Sequence, residues 1–259
     1  MKNIIIMCRP EGTSRVFSVN QLDKESAQIS LASDVNAAAK LIATKGYAPV
    51  VCNLFAWKYE AMSMRYVKYL AENVLVASGT EIGKYLADCE GAVLVGMTAK
   101  AGTERAFCAG TYNHVAWHDY AINGKSMGET GIYYTFFSRF GIPVLAVTGD
   151  EACCAEVKGT LKEAVPIPVK RAKYRDLAEL YDEEITSKAI HEGISAALCK
   201  AGKTAEQKIE LPLYVKISYN RTDFCDDSYA RNNGWLKRYD ARTMEKKVEK
   251  IERISDLVF

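Results

Sequence analysis

Between residues 91 and 150 two short apolar runs, Ala92–Val95 and Pro143–Val147, each stop at a glycine or at Thr148-Gly149-Asp150. Between them lie a glycine-rich loop, a strand-like run containing Trp117, and a helical stretch opened by Glu129. Short apolar runs that end at glycine and are separated by a helical pattern mark parallel strands buried on both faces. That order constrains the chain to an α/β fold with helices flanking a mostly parallel sheet. In such sheets the polar groups beyond the carboxyl ends of the strands build the site. Thr98, Lys100, Glu129 and Asp150 occupy such ends.

The rest of the chain repeats the pattern. Asn3–Met7 reads as a first strand with Arg9-Pro10-Glu11-Gly12 as the loop at its end, and residues 13 to 30 read as an irregular surface excursion. A helix is expected from Ser33, its cap, through Asp34 in the first turn and an apolar face of Val35, Ala38, Ala39, Leu41 and Ile42 to Gly46. Pro49–Cys52 and Val74–Ala77 read as further strands, and the aromatic, Met-rich Leu54–Leu70 lines a pocket or a subunit contact. A helix follows Asp150 to about Leu161, and the Pro-rich Ala164–Val169 marks the end of the core. We therefore expect a core domain over 1–165 that carries the site, and a smaller C-terminal α+β part over 166–259. Within that part, residues 175 to 200 read as helix, Tyr214–Tyr219 and Trp235–Tyr239 as strands, and the chain from Arg242 as a closing helix capped by Asp240. The run from Glu245 to Glu252 reads as a solvated helix face carrying i,i+4 ion pairs.

Composition excludes several partners. With 259 residues, 49% of them apolar, the chain can bury one large core. Its 34 basic and 32 acidic residues give no electrostatic footprint for nucleic acid or an anionic membrane. The start, MKNIIIMCRP, has too short an apolar run for a secretory signal, and no run is long enough to span a bilayer. Eight cysteines without a CxxC spacing read as reduced thiols, so the expected location is cytoplasmic.

The stretch AKAGT…AWH…ING…MGETGI…FGIPVLAVTGDEACCAE resembles the D-aminopeptidase family of bacterial dipeptide-transport operons, a family of zinc-dependent peptidases. Pro10-Glu11-Gly12, Asp34-Val35-Asn36-Ala37-Ala38 and Ser78-Gly79 extend the likeness upstream, and Trp235–Ile251 extends it toward the C-terminus. The resemblance implies amide or peptide hydrolysis on a small peptide or amino-acid amide, a homo-oligomeric ring, and two zinc ions. The family holds its metals with an Asp and a Glu in the first loop, a His after the second strand, a His after the fourth and a Glu opening the next helix. A further His acts on substrate. Glu11 and Glu129 match two of these positions. Arg9 stands at the Asp position, Ala56 near the first His, Thr98 at the second, and Gly110 at the substrate His.

Those substitutions have a physical consequence. Zinc takes imidazole, thiolate or carboxylate donors, commonly four. Two carboxylates alone make a weak oxygen site, nearer to what magnesium or calcium tolerates. Positions 9 and 11 project to one side of an extended segment, so a guanidinium that cannot deprotonate faces Glu11. It repels a dication by several kcal/mol at an effective dielectric of about 20. The expectation is thus an arginine–carboxylate cluster and no cofactor, with Glu11 and Glu129 the ligands if any metal binds. Catalytic candidates are Glu11, Glu129 and His114, the last four residues past Gly110. Candidates for holding substrate are Arg9, Thr98, Lys100 and Gly110. Cys108 with His114 forms a conceivable nucleophile–base pair, against the plainer reading of a small buried thiol. The competing function is a non-catalytic descendant that keeps the ring and pocket to bind a small molecule or act as a scaffold.

Overall fold

Strand β1, Asn3–Cys8, is apolar at every interior position because it is covered on both faces. Ile4, Ile6 and Cys8 face one layer of the core; Ile5 and Met7 face the other. The computed structural model describes residues 1–53, 69–78, 81–203, 209–232 and 237–258. The expected Leu54–Leu70 segment and Ala56 fall largely or wholly outside them.

The main sheet adds β2 (Ala48–Asn53), β3 (Leu75–Ser78), β4 (Cys89–Met97), β7 (Val144–Asp150), β8 (Val165–Tyr174) and β9 (Leu177–Leu180). Its order is β3-β2-β1-β4-β7-β8-β9, parallel throughout except for β9. A second, antiparallel sheet has the order β11-β12-β10-β5-β6. It is formed by β5 (Trp117–Ile122), β6 (Lys125–Ser126), β10 (Leu213–Tyr219), β11 (Lys237–Arg238) and β12 (Thr243–Val248). Helices α1 (Glu25–Thr44) and α4 (Glu183–Leu198) cover one face of the main sheet with Leu31, Val35, Ile42, Ile190 and Ile194. On the other face, α2 (Glu129–Arg139) and α3 (Glu151–Thr160) pack with the second sheet through Ile132, Phe136, Val157, Tyr120, Val215 and Ile217. Helix α5, Thr222–Arg231, follows β10. This is the expected α/β architecture with a smaller antiparallel α+β part. No described helix is long and apolar enough to cross a membrane.

Several boundaries differ from the sequence reading. Helix α1 starts at Glu25, eight residues before Ser33, because its buried stripe of Leu31, Val35, Ala38 and Ile42 runs back to Ala27. Polar Gln28 and Ser30 disguise that extension, yet both are buried and Ser30 Oγ donates to Thr13 Oγ1 at 3.0 Å. Residues 165–180 do not end the core; they are the last two strands of the main sheet, not helix. Pro166 and Pro168 are tolerated because they pair with β7 alone; β9 joins only from Lys170 onward. Prolines two apart present their missing N–H to the same, unpaired side. The chain therefore crosses between sheets on both sides of residue 165: β5 and β6 go to the second sheet, β8 and β9 to the first.

The closing helix is a strand. Met244 and Val248 alternate inward on β12, and β10 supplies its partner. The charges pair at i,i+2, Lys247 with Glu249 and Lys250 with Glu252, as extended chain requires. Asp240 caps a turn, accepting from Arg242 N at 2.7 Å.

The first strand's exit loop crosses β4 very closely. Gly96 has φ +74°, and a Cβ on it would lie 2.0 Å from Arg9 O; a Cβ on Gly12 would lie 2.1 Å from Met97 O. Gly96→Ala should therefore destabilise the protein by about 2 kcal/mol or more, read as a lowered midpoint in urea unfolding, whereas Gly83→Ala, in open space, should not.

Candidate active site

The order of the main sheet creates a crevice. From β1 the chain moves outward to β2 and β3, then returns to β4 on the other side, so the carboxyl ends of β1 and β4 flank a topological switch point. The loop leaving β1 is fastened to β4 there: Arg9 N donates to Val95 O and Gly12 N to Gly96 O, both at 2.9 Å.

Arg9, Glu11 and Glu129 meet in this crevice. Arg9 Nε donates to Glu11 Oε2 at 3.2 Å and Nη2 to Glu11 Oε1 at 2.8 Å, a bidentate pair. Arg9 Nη1 is ion-paired with Glu129 Oε2. The second Glu129 oxygen accepts from the Tyr133 hydroxyl one turn along α2. The Tyr133 and Tyr112 hydroxyls are hydrogen-bonded to each other. Glu129 is only 1% exposed and Arg9 7%, so the guanidinium is the compensating charge in a place water barely reaches. Burial pushes the Glu11 carboxyl up, but the Arg9 charge and hydrogen bonds, with a contribution from His114, hold it below the ordinary carboxylate range. Burial likewise raises the Tyr112 and Tyr133 hydroxyls well above theirs.

Buried charges on the surrounding elements hold the site's loops by their backbone. Lys170 on β8 has no exposed surface, and its ammonium donates to Glu11 O (2.6 Å), Thr13 O (3.0 Å) and Val16 O (2.6 Å). It also sits 4.3 Å over the Phe107 ring. Burial pulls its pKa down to about 8, opposed by Cys108, Asp150, Asp34 and Glu11. Asp34 on α1 accepts from Ser14 N and Oγ at 2.8 and 2.6 Å, so it is not a first-turn helix acid. Asp150 caps α3 through Cys153 N (2.8 Å) and holds the glycine-rich loop through Phe107 N (2.6 Å). Glu156 accepts from Lys100 N (2.7 Å) and Gly128 N (3.0 Å), joining the β4 exit loop to the start of α2. Sequence reasoning missed Lys170 and Glu156. The one signal was a lysine inside the apolar run Val165–Val169-Lys170; its three acceptors are main-chain atoms that no motif records.

The other predicted residues divide. Thr98 is buried at the β4 exit. The Lys100 ammonium donates to Ser126 Oγ at 2.8 Å, and Ser126 Oγ donates to Asp119 at 2.5 Å, so Lys100 reaches the second sheet and not the Arg9 cluster. His114 is exposed on the following loop and is electrostatically coupled to Glu11. A Cβ on Gly110 would meet His114 Cβ at 2.8 Å, so a side chain at 110 and His114 as placed are mutually exclusive. Burial pushes the Cys108 thiol up to about 12, which disfavours the thiolate a nucleophile needs. Cys8, Cys153 and Cys154 are in no disulfide.

As arranged, these groups do not fit a zinc ion. The Glu11 and Glu129 carboxylates are engaged by one guanidinium, and among the described residues no three His, Cys, Asp or Glu converge as a metal-binding group. A dication about 4 Å from the guanidinium would meet about 8 kcal/mol of repulsion at an effective dielectric of about 20.

A sequence profile for the family described as D-aminopeptidase matches residues 1–258. A search of curated protein sequences found no match. Among solved structures, the Zn-dependent D-aminopeptidase DppA from Bacillus subtilis, a self-compartmentalizing protease, superposes with a TM-score of 0.83 at 15% identity, covering 98% of this chain and 94% of its own. At that identity the likeness is one of fold.

Two substitutions probe the geometry. Arg9→Ala strands two acids in the crevice and should cost about 3–5 kcal/mol at pH 7. Without Arg9 the acids bind protons more readily folded than unfolded, so the deficit should shrink as pH falls toward about 4; urea unfolding across that range reads both. Lys170→Met takes the ammonium donor from Glu11 O and Val16 O and leaves Thr13 O only the long bond from Val16 N (3.4 Å); it should cost about 3 kcal/mol or more, with partial recovery in Lys170→Arg.

Proposed function

The chain belongs to the D-aminopeptidase family, and from that premise we propose that it is an amide hydrolase whose centre carries a fixed arginine charge. Its substrate is a small peptide or an amino-acid amide. The observation that carries this reading is Arg9 ion-paired with both Glu11 and Glu129 at the switch-point crevice. One guanidinium against two acids, counted as ionised, leaves a surplus negative charge, which suits the protonated amine of such a ligand.

In this reading Arg9 polarises the amide carbonyl and stabilises the oxyanion that forms when water adds. Glu11 takes the proton from water, and His114, on the neighbouring loop, protonates the departing amine. Tyr133 fixes Glu129 so that Arg9 stays aimed into the crevice. No step passes through a metal. The homo-oligomeric ring and the cytoplasmic location belong to the same proposal; the first is supported by the self-compartmentalizing neighbour, the second by cysteine usage.

A second reading has its own support. Glu11 is held below the usual carboxylate range by Arg9, which weakens it as a base, since a general base works best with a pKa near the operating pH. This favours a member that binds the same ligand class without turnover and serves as a small-molecule binding or scaffold protein.

Metal-stripped protein assayed on D-alanyl dipeptides and on amino-acid amides separates the alternatives. Hydrolysis should change by less than about twofold with chelator or added zinc, and fall by about a hundredfold or more in Glu11→Gln. Binding in calorimetry with no product formed selects the second reading. Activity that depends on zinc, with about two zinc per chain on elemental analysis, overturns both.

A further inference from the structure

The loop that carries His114 also forms one wall of a cleft in the second sheet. That cleft, of about 630 Å³, lies between residues 112–117 and helix α5. Four aromatic side chains line it, Tyr112, Trp117, Tyr219 and Phe224, with Ser228 and Arg231 among the polar residues. Its size is that of a small-molecule pocket, and its lining is mixed, the four rings being joined by Asn113, Asp227, Ser228, Arg231 and Asn232.

Two further observations connect the cleft to the Arg9 centre. Tyr112 belongs to both. Its ring stacks on Trp117 at 6.4 Å between centroids and meets Tyr133 edge-on at 6.3 Å, while Tyr133 donates to Glu129. Only two rings therefore separate the cleft from the buried carboxylate. Tyr112 is also held at φ +52°, in a loop where Arg105 and Cys108 have φ +49° and +53°. An aromatic residue is rarely found in the left-handed region, and such strain persists only where the surrounding structure imposes it, most often at ligand sites.

We propose that this cleft is the specificity pocket of the Arg9 centre and takes an aromatic side chain of the ligand. The inference rests on the amide-ligand reading above. A ligand with its amine and amide at Arg9, Glu11 and Glu129 would run along Tyr112 and seat its ring among Trp117, Tyr219 and Phe224, where offset and edge-on ring contacts are available.

Calorimetry with phenylalaninamide, alaninamide and p-cresol on the full chain tests this. Phenylalaninamide should bind at least about tenfold more tightly than alaninamide, as filling an apolar pocket predicts. Phe224→Ala, which opens the cleft, and Ser228→Phe, which fills it in place of the hydroxyl that accepts from Tyr219, should each bring the two amides within about twofold. Equal binding of the two amides by the wild type, or a preference that survives both variants, overturns the pocket and leaves the amide reading standing. Binding of p-cresol alone, lost in Ser228→Phe, supports the pocket and overturns the amide reading. No binding of any of the three overturns the pocket.

Discussion

The crevice depends on one guanidinium held between two acids. Arg9 cannot shed its charge, Glu129 sits where water cannot screen its own, and the Glu11 side chain is 17% exposed. Each group would be costly alone; together they form a cluster whose members are hydrogen-bonded as well as opposite in charge. The cost of burying them is offset by geometry, since the planar fork of Arg9 meets Glu11 bidentately and Glu129 from its remaining nitrogen.

That geometry is maintained from outside the crevice. Lys170, Asp34, Asp150 and Glu156 come from four different elements, and each spends its buried charge on backbone groups of a loop bordering the site. Charge-assisted bonds to main-chain atoms fix a loop's path while leaving its side chains available. The first loop is held from α1 by Asp34 and from β8 by Lys170, and the glycine-rich loop from the end of β7 by Asp150 and from α3 by Glu156. The Arg9–Glu11 pair is thus positioned by the sheet and the helices on both of its faces.

Periodicity made the central strands legible because they are covered on both sides and carry almost nothing but apolar residues. It failed where a neighbour decides. Thr243–Val248 has two inward apolar residues and four polar ones, so its charges read as a helix face until β10 is seen to pair with it. Val165–Tyr174 contains two prolines, a reasonable stop signal, but they fall where the strand has one partner only. The start of α1 was hidden because Ser30 and Asp34 are polar residues buried to hold the first loop. At the site, the meeting of Arg9 with Glu11 follows from their spacing. Their meeting with Glu129 rested on a family pattern, because the two segments are more than a hundred residues apart in the chain.

By itself the sequence determined the α/β class, the strands that flank the crevice, and the placing of Arg9 and Glu11 two residues apart where the first strand ends, since these reside in local pattern and residue chemistry. Tertiary structure alone decided that the guanidinium lies between Glu11 and Glu129, that Lys170 reaches three carbonyls of the first loop, and that Lys100 turns away to Ser126. Those outcomes depend on which backbone atoms come within about 3 Å of a buried charge, and that distance is set by how the strands and helices pack, not by any spacing along the chain.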